Sequence, residues 1–457
     1  MVAERYWLET LGCPKNQVDS DKLAGTLSAE GYEPASSPDR ADLVVVNTCA
    51  FIEAAREESV DTILELDAVR APGARLVVTG CLAERHGREL AAALPEVDLV
   101  AGFGVPVTLR SKRNVAGTEG SDVPALPSFD LLNLPRPAVA SPWAYVKVAE
   151  GCDRRCGFCA IPSFRGAQRS RTEPAILAEV DALGEQVREV VLVAQDLASW
   201  GLDRSVPTRN RRAGGMPRPI VGLVRRLSAR VERVRLLYLY PSALDDDLVD
   251  AVVDSGVPYF DLSLQHVSRR LLRRMRRAGD GDRFLERIGA IRAATPDAAL
   301  RSSFILGYPG ETEDDHDELL SFLSHARLDW AGFFLFSKED GTYATSLPGA
   351  VPAELAVERL RECAELQDTI TAERRAALVG ASVEVLVDEP GVARSFREAP
   401  VIDGLVHVPS SLAPGTFERV TVTSAAGPDV WARRSRGRRA GDGSHGGLPV
   451  PSQELVS

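Results

Sequence analysis

The run Glu150-Gly151-Cys152-Asp153-Arg154-Arg155-Cys156-Gly157-Phe158-Cys159 places three cysteines in one short loop. A Cys-x3-Cys-x2-Cys loop offers three thiolates and no fourth. A structural zinc site closes itself with four protein ligands, whereas three thiolates on a four-iron, four-sulfur cluster leave one iron open to a substrate. The loop therefore reads as a catalytic cluster site, with an aromatic residue, Phe158, directly before its last cysteine. The competing readings are a zinc site completed by a distant ligand and three unrelated buried cysteines. The spacing differs from the paired Cys-x2-Cys of zinc ribbons.

A second set of three cysteines is scattered in sequence and gathered by pattern. Tyr6 to Thr10 reads as a short strand followed by Gly12-Cys13, Leu43 to Val46 as a buried strand followed by Asn47-Thr48-Cys49, and Leu76 to Thr79 as a third followed by Gly80-Cys81. Helical patterns lie between them, Asp19 to Glu30 closed by Gly31 and Ala54 to Val69 closed by Pro72-Gly73, so the strands should run parallel. Ligand sites of open α/β sheets lie at the carboxyl ends of their strands, which would bring Cys13, Cys49 and Cys81 together as a second three-thiolate site. Free cysteine is also a common small core residue. Three coincident strand ends argue against that plainer reading.

The elements that must position the first loop form a run of strand and helix units. Strands read at Ala144 to Val148, Glu189 to Val193, Arg235 to Leu239, Tyr259 to Leu264, Leu300 to Leu306 and Gly332 to Phe336. An open or partial (β/α) barrel follows, and the Cys152 to Cys159 loop leaves the carboxyl end of its first strand, where such barrels carry their reactive groups. A helix-rich stretch from Pro352 to Leu378 carries Cys363 in an amphipathic pattern, read as packing. From Ala381 onward, alternating runs with turns at Pro390-Gly391 and Pro414-Gly415 predict a small β-barrel ending near Trp431.

The fold class is thus α/β, with domains expected at residues 1–120, 143–375 and 376–435, a Pro-rich linker at 121–142, a polar excursion at Arg204 to Pro219 and a disordered tail at 436–457. With 457 residues and 44% hydrophobic content, about three domains fit the length. Seven cysteines and no N-terminal basic-then-apolar leader point to a reducing, cytoplasmic setting. No apolar run is long enough to cross a bilayer. The 54 Lys and Arg stand against 65 Asp and Glu, a formal charge of -11. That balance is the wrong sign for a nucleic-acid partner and suits a basic one.

Leu11-Gly12-Cys13-Pro14-Lys15-Asn16-Gln17-Val18-Asp19-Ser20, Asn47-Thr48-Cys49-Ala50-Phe51-Ile52, Thr79-Gly80-Cys81-Leu82 and Glu150 to Arg171 together resemble the radical S-adenosylmethionine (SAM) methylthiotransferases. The resemblance covers nearly the whole chain. Leu264-Gln265-His266, Arg301 to Glu311, Phe333 to Thr342 and Ala399 to Gly404 fit as well, the last in what is similar to a TRAM domain. The resemblance implies that Cys152, Cys156 and Cys159 hold the radical-SAM 4Fe-4S cluster and Cys13, Cys49 and Cys81 an auxiliary 4Fe-4S cluster carrying the sulfur to be inserted. One SAM would methylate that sulfur and a second would yield the radical. Phe158, Gln195, Arg301 and Gly307 lie where relatives build the SAM pocket. Their plainer roles are core packing, a strand-end cap, an ion pair and a turn. His266 and His316 lack ligand-spaced partners and read as hydrogen-bonding residues.

Within that family Cys13-Pro14-Lys15-Asn16 resembles the branch acting on an aspartate β-carbon of small-subunit ribosomal protein S-twelve, whereas the tRNA adenosine branch typically has Gln and Met after the cysteine. The acidic residues Glu384, Asp388, Glu389, Glu398 and Asp403 of the β-barrel, against Arg394 and Arg397, read as a face for a basic protein and against tRNA. The Arg433 to Arg439 cluster cuts the other way. An external electron donor and a sulfur donor are implied partners. A non-catalytic iron-sulfur electron-transfer protein is the alternative of a different class. One departure stands out: relatives usually have a glycine just before the strand at Val187 to Val193, and Gly184-Glu185-Gln186-Val187 lacks it at the usual place.

Overall fold

A computed structural model of the chain describes residues 3–107, 130–204 and 218–435. Residues 121–129 of the expected linker, nearly all of the expected excursion and the tail 436–457 lie outside the described residues.

The N-terminal unit comprises β1 (Arg5–Thr10), α1 (Pro14–Ala29), β2 (Glu33–Pro34), β3 (Leu43–Thr48), α2 (Glu53–Val69), β4 (Arg75–Gly80), α3 (Cys81–Ala93) and β5 (Leu99–Ala101). Its five strands are parallel in the order β2-β1-β3-β4-β5. Strand β3 is buried along its whole length: Val44 and Val46 pack into one core cluster, Leu43 and Val45 into another on the opposite face. That is the continuous apolar run a parallel strand covered on both faces requires. The register pairs Thr10 with Asn47, Asn47 with Thr79 and Thr48 with Gly80, so three adjacent strands end level. Helix α1 starts at Pro14, five residues before the expected Asp19, because proline is preorganised for a first helical turn.

The central unit comprises β6 (Trp143–Lys147), β7 (Ala149–Glu150), α4 (Ile161–Arg165), β8 (Arg169–Ser170), α5 (Glu173–Ala182), β9 (Glu189–Val193), α6 (Pro219–Ser228), β10 (Arg233–Leu236), α7 (Asp246–Asp254), β11 (Tyr259–Gln265), α8 (Arg269–Arg274), α9 (Gly281–Ala294), β12 (Ala299–Leu306), α10 (Glu313–Ala326), β13 (Trp330–Leu335) and α11 (Ala353–Ala376). Two parallel three-stranded sheets, β6-β9-β10 and β11-β12-β13, meet through a single bridge between Leu239 and Leu262, an incomplete barrel as expected. Strand β10 ends at Leu236, short of the expected Leu239, because Tyr238 takes a left-handed φ of 63°. The turn before β9 is made by Gly184 itself, with φ 107° and Val187 N donating to its carbonyl, so the displaced glycine leaves the register of β9 with β6 and β10 intact. Cys363 is fully buried in the core cluster, packed as expected.

The part of the expected linker that the structure describes is docked onto α1. Leu131 and Leu132 are buried, Lys22 Nζ donates to Leu132 O at 2.5 Å, and Arg136 bridges Asp21 Oδ2 and Tyr145 O, each at 2.5 Å. Gly25 lets the segment lie close, since an added Cβ would stand 3.0 Å from Pro137 Cδ and 3.1 Å from Pro135 O.

The C-terminal unit is a closed barrel in the order β14-β15-β16-β18-β17, formed by β14 (Ser382–Glu389), β15 (Val392–Arg394), β16 (Val406–His407), β17 (Phe417–Ala426) and β18 (Asp429–Arg434). Its loop around Arg394 to Asp403 stoppers the amino-terminal end of the central barrel, where Phe396, Ala399 and Ile402 pack with Tyr145, Val191 and Tyr259. Here the structure corrects the acidic-face reading. Arg235 donates to Glu189 at 2.7 Å and Arg394 to the same carboxylate at 3.1 Å, while Arg394 also holds Asp388 at 2.5 Å. Glu398 pairs with Arg375, and Asp403 accepts from Arg301 at 3.2 Å and from Tyr259 at 2.6 Å. Glu398 and Asp403 are therefore enclosed in ion pairs between units, and Glu384 and Glu389 are the exposed members of the set. Among the described residues no helix is long and apolar enough to cross a membrane.

Candidate functional site

The level ends of β1, β3 and β4 deliver Cys13, Cys49 and Cys81 to one place. Gly12, at φ 90°, allows the closest approach: an added Cβ would stand 2.8 Å from Cys49 Cβ and 2.9 Å from Cys49 Sγ. Side-chain amides tie the three loops. Asn16 Nδ2 donates to Leu11 O and Thr48 O, each at 3.0 Å, and Asn47 Nδ2 donates to Asn16 O and Ser20 Oγ, each at 2.9 Å. Burial pushes the Cys49 thiol up to about 12, with Cys81 and Cys13 adding like-charge repulsion. Cys81 is raised by burial against the pull of Arg165. Burial opposes the Cys13 thiolate as well, but Lys15, the Asn16 N–H and Arg165 together bring that thiol below its ordinary range.

The other triad sits on the loop between β7 and α4. Strands β7 and β8 pair antiparallel and frame it, and Cys152 N donates to Gly166 O at 3.0 Å. Gly157 N donates to Met275 O and Ala344 N to Gly157 O, each at 2.8 Å, pinning the loop to the end of α8 and to the turn that follows β13. Arg277 Nη1 donates to Cys156 Sγ at 3.3 Å and Arg154 N to Cys152 Sγ at 3.4 Å. Burial raises Cys152 to about 11 and Cys159 to about 12.

Between the triads lies a buried ionic junction that sequence reasoning missed. Arg165, at the end of α4, donates through Nη2 to Cys81 Sγ at 2.9 Å and Asn16 Oδ1 at 2.8 Å, and through Nη1 to Glu150 at 2.8 Å and Asp19 at 3.2 Å. Its face covers the Phe103 ring at 4.2 Å. Lys147 joins from β6, donating to Asp19 at 2.7 Å and pairing with Glu150. Although burial pushes Glu150 up, Arg165 and Lys147 hold its carboxyl down at about 2. A second clasp is Glu339, which accepts from Arg56 and Arg85, each at 2.6 Å, and so fastens α2 and α3 to the loop after β13. The signal available in sequence was that Asn16, Asp19 and Arg165 belong to the same two segments as the cysteines.

The four residues expected to line a SAM pocket are spread out. Phe158 is half-buried against the central core. Gln195 Nε2 donates to Glu150 Oε1 at 3.0 Å, beside the cysteine loop, and its own buried Oε1 has no partner among the described residues. Gly307 turns the chain after β12 at φ 76°, where an added Cβ would stand 2.7 Å from Ala356 Cβ. Arg301 lies near the opposite end of β12, paired with Asp403 at 3.2 Å and Asp261 at 3.6 Å, with its pKa raised by those carboxylates against burial. The ion-pair reading thus describes its contacts, in a half-buried setting. His266 Nδ1 accepts from Ser268 N at 3.1 Å, its pKa pushed down to about 4 by burial, and His316 Nε2 meets Glu362 at 2.7 Å. Both are hydrogen-bonding residues, as expected.

All seven cysteines are free. No three or more His, Cys, Asp or Glu side chains among the described residues are grouped to hold one metal ion. Three thiolates on a four-iron cluster each take a different iron and stand further apart than ligands of one ion do. Three thiolates per site, a guanidinium against one thiol of each, and a glycine that opens the space beside Cys49 fit such clusters.

Residues 5–102 match the Uncharacterized protein family UPF0004, residues 146–323 the Radical SAM superfamily and residues 379–434 the TRAM domain. The chain is 44% identical over 423 residues to the ribosomal protein uS12 methylthiotransferase RimO of Moorella thermoacetica, spanning 91% of this chain and 95% of that one. The chain belongs to the ribosomal protein uS12 methylthiotransferase family. A second member, RimO of an Anaeromyxobacter species, is 40% identical over 479 residues, spanning 98% of this chain and 100% of that one. Among solved structures, the radical SAM methyltransferase TsrM of Kitasatospora setae, with cobalamin and a 4Fe-4S cluster bound, is a distant likeness, with a TM-score of 0.46 at 16% identity over 73% of this chain and 72% of that one.

Proposed function

We propose that this methylthiotransferase attaches a methylthio group to the β-carbon of an aspartate in ribosomal protein uS12, with Cys152, Cys156 and Cys159 holding the radical-SAM cluster and Cys13, Cys49 and Cys81 the auxiliary one. The observation that carries the reading is the junction at Arg165, which ties the loop of one triad to a thiol of the other. Two reactions that must share one acceptor carbon need their sites held in a fixed relation. When bound, the clusters and SAM supply the electron, the hydrogen-abstracting radical, the methyl group and the sulfur.

The chain's own part is placement and charge. Arg277 and the Arg154 N–H offset negative charge on the loop triad, and Arg165 does so on the N-terminal triad. Gln195, hydrogen-bonded to Glu150 beside the cysteine loop and with its own Oε1 unpartnered among the described residues, offers a polar group that would suit the amino group of SAM. An external reductant and a sulfur donor complete the reaction.

The test is anaerobic reconstitution with iron and sulfide, addition of SAM and reductant, and parallel exposure to uS12 and tRNA, read by mass spectrometry. A methylthio group on a uS12 aspartate alone is the expected result. Modification of tRNA instead would overturn it.

A further inference from the structure

Four cations around the triads and the barrel beneath them are committed to acidic or sulfur partners. Lys147 pairs with Asp19 and Glu150, Arg165 with Glu150, Asp19 and Cys81, Arg277 with Cys156, and Arg301 with Asp403 and Asp261. Lys15, two residues beyond Cys13, makes no ion pair with a carboxylate among the described residues. Its ammonium stands 3.7 Å from the centroid of the Tyr238 ring, half-buried at the carboxyl end of β10. Asp261, the carboxylate bonded to the Tyr238 backbone, is already committed: it accepts from Tyr238 N at 3.0 Å and faces Arg301 at 3.6 Å. Tyr238 adopts a left-handed backbone at φ 63°, an uncommon conformation for an aromatic residue, and that turn presents the ring beneath Lys15.

A half-buried ammonium beside the Cys13 thiol, with a cation–π seat and no carboxylate partner among the described residues, can pair with a carboxylate brought to that site. The acceptor in the proposed reaction carries one carboxylate, bonded directly to the β-carbon that is modified, and that carbon must lie against the sulfur held by the Cys13 site. We infer that Lys15 is the specificity residue for the acceptor, its ammonium pairing with the side-chain carboxylate of the uS12 aspartate while the Tyr238 ring fixes the amine in place. This rests on the aspartate reading above. An adenosine acceptor would offer that ammonium no carboxylate.

The experiment compares binding of uS12 and of uS12 with its acceptor Asp changed to Asn, using reconstituted wild-type enzyme, Lys15→Gln and Lys15→Arg, with methylthio transfer measured on the same samples and iron content as the folding control. Wild type should prefer the aspartate form by about 10- to 100-fold, the range of a hydrogen bond to a charged group. Lys15→Gln should bring the two forms to within about threefold of each other at unchanged iron content, and Lys15→Arg should keep most of the preference. A Lys15→Gln enzyme with the full wild-type preference would overturn the assignment of Lys15 alone, as would a variant that weakens both forms equally. If wild type itself modifies no uS12 aspartate, the functional reading fails first, and the assignment falls with it.

Discussion

The two cysteine triads gather three thiols each by opposite structural means. Cys152, Cys156 and Cys159 come from one loop, and local backbone bonds such as Cys159 N to Cys156 O at 3.2 Å shape it. Cys13, Cys49 and Cys81 come from three strand ends, and they meet only when β1, β3 and β4 have paired in register. The spacing of the first triad is therefore set within one short stretch of chain. The second exists only as a property of the folded sheet and its docking, since its charge partner, Arg165, belongs to the other unit.

That difference can be broken from the side of Arg165. Arg165→Ala removes a buried guanidinium and leaves Asp19 and Glu150 with Lys147 alone, a loss of about 3–5 kcal/mol. Iron content after anaerobic reconstitution should fall by about half, the loop triad keeping its share, and loss of iron from both sites together would show that the triads are not separable. Glu189→Gln tests the opposite case, a change that should disturb both triads equally through the barrel floor. Burial raises this carboxyl, yet Arg235 and Arg394 hold it at about 2, against 4.5 ordinarily. A depressed folded pKa contributes stability that is full above 4.5 and lost as pH falls through about 2, so the variant should lose about 3 kcal/mol at neutral pH. Its apoprotein unfolding curve should also be flatter between pH 4.5 and 2, and an unchanged acid slope would remove Glu189 from the account. Glu339→Gln weakens the clasp on α2 and α3 and should cost about 1–2 kcal/mol, with faster iron release from the N-terminal triad under mild urea. Arg434→Ala, in an exposed pair with Glu418 on the C-terminal barrel, should change the melting midpoint by less than about 0.5 kcal/mol equivalent.

What could be read from the chain follows the same division. The loop triad is legible from spacing alone. The N-terminal triad was legible through topology, because a cysteine after each of three predicted parallel strands has few places to go. Charges were not legible in the same way. Glu398 and Asp403 counted as an acidic surface until Arg375 and Arg301 were seen to enclose them, and counting residues cannot tell a buried pair from an exposed face. Arg165 escaped notice because its partners Asn16, Asp19 and Cys81 lie far from it in sequence. The start of α1 at Pro14 was missed because the apolar pattern begins later than the helix does.

Helix α4 carries one further consequence. Ala160 and the first four residues of this helix, Ile161 to Phe164, are all that separates the last cysteine of one triad from the side chain that touches the other. It works as a spacer of fixed length and fixed phase. One residue inserted or removed there would shift Arg165 by about 1.5 Å along the helix and swing it about 100° around the axis. Length in this segment should accordingly be held more tightly than the identity of its middle residues.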